Sequence, residues 1–162
     1  MNGFAENTKS NASDKPGHKG AVLSLTTACQ MLPLIRGVVK DVVEAQERLS
    51  RMNPELQMLD EHRRSLPWPS RSRRYFLTEE TALEQRRLQG ALAELDSLGV
   101  AVLDALIGRV GFPTIVNRQA AYFTWQVGEE QLQHWQFAND SAQRRIPASW
   151  WEELSAPLEN QE

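Results

Sequence analysis

One stretch constrains this chain more than any other: Val110 to Trp135, VGFPTIVNRQAAYFTWQVGEEQLQHW. From Ala121 to Val127 apolar and polar residues alternate. Ala121, Phe123, Trp125 and Val127 share one face, and Tyr122, Thr124 and Gln126 share the other. A period of two is the mark of a half-buried strand. Residues 110 to 116 alternate less cleanly, with Val110, Phe112, Thr114 and Val116 on the more apolar face and Gly111, Pro113 and Ile115 opposite. Pro113 has no N–H to give to a ladder, so this strand is expected at an edge or at a bulge. The two strands form a hairpin whose loop must hold an even number of residues, because a slip of one would set apolar faces against polar ones. A four-residue loop, Asn117 to Ala120, satisfies this. It sets Val110 opposite Val127, Phe112 opposite Trp125 and Val116 opposite Ala121. Gly111, Thr124 and Gln126 then cluster on the face away from the core.

Before this hairpin the chain reads as helical. Ala28, Leu32, Ile35, Val39, Val42, Gln46 and Leu49 recur at spacings of four and three, the stripe of an amphipathic helix. Val38 and Val43 make that stripe wider than one partner helix needs. Ser24 or Thr26 is a fair N-cap. Pro33 falls in the second turn, where a small kink accommodates it. Residues 26 to 52 alone would span about 40 Å at about 1.5 Å per residue. Asn53-Pro54-Glu55 resembles a cap, a first-position proline and an acidic first turn, so the helix is expected to kink or restart there. Residues 62 to 76, HRRSLPWPSRSRRYF, read as a loop, with prolines on both sides of Trp68 and five arginines. Thr78 then caps a second helix, striped by Ala82, Gln85, Leu88, Leu92 and Leu95 and closed by Gly99. Val100 to Leu103 suits a short first strand. Glu129 to Phe137 suits a helical turn, and Trp150-Trp151 a short docked helix.

The expected fold is therefore α+β: a long antiparallel helical hairpin packed on a small antiparallel sheet of two or three strands, with a short C-terminal helix. In domain terms, residues 1 to 22 read as a polar, disordered tail. Residues 23 to 155 form a single domain, with the helical hairpin over 25 to 98 and the β-meander and short helix over 99 to 155. Residues 156 to 162 are a frayed tail. With 162 residues, 24% charged and a net charge of -3, the composition is that of a globular domain. No apolar run approaches the roughly 18 residues that cross a bilayer. The first residues lack the apolar centre of a signal peptide. No partner membrane is therefore expected, and a reducing cytoplasm is the default compartment. Cys29 is the one cysteine, which excludes an internal disulfide and a cysteine-built zinc site.

Taken together, LTTACQMLPLIR, LGVAVLD, VGFP, FTWQVGE and HWQ, in that order and spacing, resemble the bacterial family called domain of unknown function 2203, over about residues 23 to 147. The resemblance implies a fold and little chemistry. The departures from the family pattern are informative. The pattern has Asp where this chain has Gly111, Cys where it has Thr124, His where it has Gln136, and Asp where it has Asn139. Trp125, Gly128, Glu129 and Trp135 match, and Arg145 resembles the pattern's final Arg. Metal-capable groups have thus been replaced by neutral ones. If relatives hold a metal through Asp, Cys and His, this copy should not hold it in the same way.

The candidate ligand-binding residues are Gly111, Thr124, Trp125, Glu129, His134, Trp135, Gln136 and Arg145, with no catalytic residue, metal or cofactor expected. Glu129 and His134 suit an acid/base pair; the plainer reading, a capping carboxylate and a surface imidazole, is preferred. Trp125 and Trp135 suit the wall of a small pocket, but tryptophans are more often core. The arginine-rich loop with Trp68, Tyr75 and Phe76 suits single-stranded nucleic acid, yet the chain is acidic overall and a solvated loop is the preferred reading. Cys29 reads as a small buried apolar residue. The favoured function is non-catalytic binding or self-association, as a homodimer or with a protein partner through the helical hairpin. A metal- or small-molecule-binding, enzyme-like protein is the competing class, and nucleic-acid binding comes third.

Overall fold

A computed structural model describes residues 22–155; of the tails expected over residues 1–22 and 156–162, all but Val22 lies outside the described residues. Two long helices, α1 (Leu25–Glu61) and α2 (Trp68–Ser97), are followed by β1 (Ala101–Asp104), β2 (Arg109–Val116), β3 (Gln119–Gln126), β4 (His134–Phe137) and β5 (Arg144–Arg145), and then by α3 (Ala148–Ser155). The strands form one antiparallel sheet in the order β1-β2-β3-β4-β5. The class is α+β as expected, but the sheet has five strands rather than two or three. The expected helical turn over Glu129 to Phe137 is instead a turn leading into β4.

The helices grow from the stripe in the sequence. Ala28, Leu32, Ile35, Val38, Val39 and Val42 of α1 are buried with Ala91 and Leu95 of α2 and with Val110, Phe112, Phe123 and Trp125 of the sheet. Ser24 caps α1 by accepting from the Thr27 amide. At its far end the helix does not restart at Asn53-Pro54, and it runs as one element through both Pro33 and Pro54. An internal proline costs about 3 kcal/mol. Burial of Leu49 and Leu59 on either side of Pro54 offsets that cost. The arginine-rich segment, expected as a loop over residues 62 to 76, is one only in its first part. Only six residues, 62 to 67, separate the helices, and Trp68 onward is helical. Two ion pairs lock the start of α2 to the end of α1: Arg73 bidentate to Glu55, and Arg74 to Asp60. Farther along the hairpin, Glu84 is buried and is held between Arg48 and Arg87 at 3.3 and 2.7 Å.

Gly99 ends α2. Its φ of +76° is reached cheaply by glycine alone, and it lets the Val100 amide return to the Leu95 carbonyl at 3.0 Å. The hairpin of β2 and β3 has a two-residue turn, Asn117-Arg118, with both φ values positive (50° and 64°). The expected four-residue loop is therefore wrong. Val110 faces Trp125, Phe112 faces Phe123, Thr114 faces Ala121, and Val116 faces Gln119. This is a shift of two residues, so both faces keep their membership. Two-residue turns with positive φ match the twist of the strands they join, and that decides between the even loops. Val127 falls outside β3 and is exposed. Pro113 lies on a central strand, but beyond the end of β1, which pairs only as far as Gly111. Its carbonyl accepts from Leu23 on that open side, at 2.7 Å, so the missing N–H faces no ladder partner.

Candidate functional site

Both helices and the start of α3 lie on one face of the sheet. Trp150 of α3 meets Phe123 edge-on at 6.2 Å and Trp135 at 5.5 Å. Trp125 and Trp135 point into this same core. Trp125 donates its indole N–H to the Glu129 carbonyl at 2.9 Å, and Arg144 lies over the Trp135 ring. Two of the candidate residues are thus core anchors, on the opposite face from Thr124.

The other face carries the polar groups. Directly opposed residues in an antiparallel ladder share a face. Gly111 opposes Thr124, Thr124 opposes His134, and His134 opposes Arg145. These four candidates make one transverse row from β2 to β5. Gln136 stands one step along β4 on the same face, opposite Tyr122, and its amide donates to the Asp140 carbonyl. Glu129, in the turn after β3, sends one carboxylate oxygen to within 3.9 Å of His134 Nδ1, while the other accepts from the Gln126 amide at 3.4 Å. Arg109, two residues before Gly111, extends the face. Its guanidinium donates to the Gln126 side chain at 3.0 Å. Arg109 escaped the sequence reading, although its parity with Gly111 was the available signal.

Three side-chain atoms on this face are buried without a hydrogen-bond partner: Arg109 Nε, Thr124 Oγ1 and His134 Nδ1. Thr124 is only 2% exposed. An unpaired buried hydroxyl or N–H costs about 1 to 3 kcal/mol, so three on one face is a concentrated expense. Gly111 explains the packing beside them. A Cβ on it would lie 2.8 Å from Cγ and Cδ1 of Tyr122, so the Tyr122 side chain fills the place of the missing one. Among the described residues no cluster of three or more metal-capable groups exists.

The family described as Uncharacterized conserved protein (DUF2203) matches residues 22–147. The chain belongs to this family. No curated protein and no solved structure matches it. DUF2203 membership thus spans α1 through the outer-face row and beyond Arg145, and it assigns no activity. Among the described residues no helix is long and apolar enough to cross a membrane.

The far end of the helical hairpin is the second distinctive surface. Past Ala45 and Ala91 the two helices pack only on each other. There Met58, Trp68, Tyr75 and Phe76 are 53 to 70% exposed. Arg71 and Arg73 lie over the Trp68 and Phe76 rings at 5.8 and 5.5 Å. Nearer the sheet, a groove of about 380 Å³ between the helices has Ala45, Gly90 and Ala91 with Asp41, Glu44, Glu84 and Glu94, against Arg48 and Arg87.

Proposed function

We propose that this DUF2203 protein is a non-catalytic module that works by self-association through its helical hairpin. The observation that carries the reading is the set of exposed large apolar side chains Met58, Trp68, Tyr75 and Phe76 at the far end of the hairpin. Large aromatic side chains flanked by arginine are the residue types that dominate interface energies. Charge supports a second copy of the same chain as the partner. The end carries Arg63, Arg64 and Arg71, while the groove nearer the sheet holds more carboxylates than guanidiniums. An antiparallel pairing of two hairpins would set each basic end on the other's acidic groove, an isologous contact that closes on itself.

Light scattering on the full chain at high micromolar concentration tests this. A dimer mass is expected, falling to a monomer in the Trp68→Ala/Tyr75→Ala/Phe76→Ala variant with its helical content unchanged. A monomer mass for the parent would remove the reading. Reversal of Arg63, Arg64 and Arg71 to Glu should also dissociate the dimer. Mixing that variant with one carrying Asp41→Lys, Glu44→Lys and Glu94→Lys should restore association. Single-stranded RNA is the competing occupant, and its contacts would weaken steeply with salt. Arg73 and Arg74 already hold Glu55 and Asp60, which supports protein over phosphate as the partner. A second reading, small-ligand binding, is supported by the unpartnered polar atoms on the sheet.

A further inference from the structure

We infer that the outer face of the sheet is a binding site for a small oxyanion of the phosphate type. This inference deepens the small-ligand reading and is independent of hairpin self-association. Three observations carry it. First, Thr124 Oγ1, Arg109 Nε and His134 Nδ1 are buried and unpartnered on one face. Polar groups left in that condition normally have a partner that the protein chain alone does not supply. Second, among the described residues neither Arg109 nor Arg145 forms an ion pair, although other arginines of the chain do. Arg145 is exposed, opposite His134 in the ladder, with no hydrogen bond of its own. Third, the two guanidiniums of the face stand with two carboxylates, Glu129 and Asp104, and each carboxylate accepts from a backbone amide, that of Gln126 or Leu106, rather than from Arg109 or Arg145. The guanidiniums are left to a ligand of negative charge.

The chemistry narrows the class. Arg145, on a two-residue edge strand, supplies a fork of N–H donors from the open side. Thr124 supplies a hydroxyl from the floor, and His134 beside it supplies a ring nitrogen. Arg109 adds a further N–H from the β2 side. Donors from three strands on one row, with Arg109 beside it on β2, match an acceptor with several oxygens in different directions, as phosphate has. A planar carboxylate would use fewer of them. Glu129 and Asp104, which stands opposite Arg109 in the ladder, are the opposing groups. The Glu129 oxygens face the His134 ring and the Gln126 amide, so Glu129 steadies the imidazole at the cost of some affinity. Free phosphate and the phosphoryl end of a small metabolite share this chemistry.

The test uses the full chain in phosphate-free buffer, titrated with inorganic phosphate and, separately, with glycerol 3-phosphate, by calorimetry and by amide shifts of β3 and β4. One anion per chain is expected, with shifts centred on Thr124 and His134. Thr124→Val keeps the shape and deletes the hydroxyl; Arg145→Gln deletes the charge at an exposed position. Each should weaken binding about tenfold or more, and Glu129→Gln should strengthen it severalfold. Tighter binding of the ester than of inorganic phosphate assigns the site to a phosphorylated metabolite, and the reverse order assigns it to the free ion. No binding of either up to 10 mM at low salt overturns the proposal. So does binding that Thr124→Val and Arg145→Gln both leave unchanged. The monomer–dimer equilibrium is read on the same samples, so loss of one reading is visible apart from the other.

Discussion

Replacing Gly111 by alanine isolates the feature that shapes the outer face. The backbone at Gly111 is not in the left-handed region, so a side chain there meets no conformational penalty. Its cost is steric. The added Cβ would lie 2.8 Å from Cγ and Cδ1 of Tyr122 and 2.9 Å from its Cβ, where carbon atoms prefer about 3.5 to 4.0 Å. The opposing atoms are the root of the tyrosine, not a flexible tip, so relief requires a new χ1 or a displaced strand. Overpacking of this kind costs about 1 to 3 kcal/mol. Against it stands a gain of about 0.5 to 1 kcal/mol from removing a glycine within a strand. The net expectation is a loss of about 1 kcal/mol. Urea unfolding followed by tryptophan fluorescence measures it, and about 2 to 4 °C should be lost from the melting temperature. In a Tyr122→Ala background the same change should be neutral or slightly stabilising, leaving a coupling energy of about 1 to 2 kcal/mol. Additive effects, with coupling under about 0.3 kcal/mol, would refute the argument that Tyr122 occupies the glycine's place.

Arg118 holds a φ of 64°, which costs a non-glycine residue about 1 kcal/mol or more, so Arg118→Gly should raise the urea midpoint rather than lower it. Burial pushes the Cys29 thiol above its ordinary value, so maleimide should label the native chain more slowly than the urea-unfolded chain at pH 8. The Arg73 hydrogen bond holds the Glu55 carboxyl below its usual range. A depressed carboxyl contributes its stability above the unfolded-state value and loses it as pH falls through the folded one. Arg73→Ala should therefore move the Glu55 titration, read by carboxyl NMR, back upward. Placing metal-capable groups on the outer face with Gly111→Asp, Thr124→Cys, Gln136→His and Asn139→Asp should give about one zinc per chain only when Tyr122→Ala is added, since Tyr122 fills the space beside position 111; metal analysis with and without that fifth change decides it.

How much of this was legible in the sequence depends on distance along the chain. The faces of β2 and β3 were, because side-chain parity is fixed by local backbone geometry. So were the stripe of α1 and the end of α2 at Gly99. The placement of Gly111 and Thr124 on one outer face followed from parity alone and survived an error in the loop, since a shift of two residues preserves it. The loop length itself was not legible, because two and four residues satisfy the same alternation.

Elements held by long-range partners were also hidden. Four residues in β4 and two in β5 are too few to display a period, and they are strands only because β3 offers a ladder to β4 and β4 offers one to β5. The helix through Pro54, and the helical start of α2 in a segment that reads as a loop, exist because Leu49, Leu59 and the Glu55–Arg73 and Asp60–Arg74 pairs offset a local penalty from across the hairpin. The row itself was decided in the same way. Sequence alone set which residues could face outward, because that is a property of each strand. Only the pairing of four strands brought His134, Arg145 and Arg109 to Thr124, because contact between residues far apart in the chain is settled by the free energy of the whole fold.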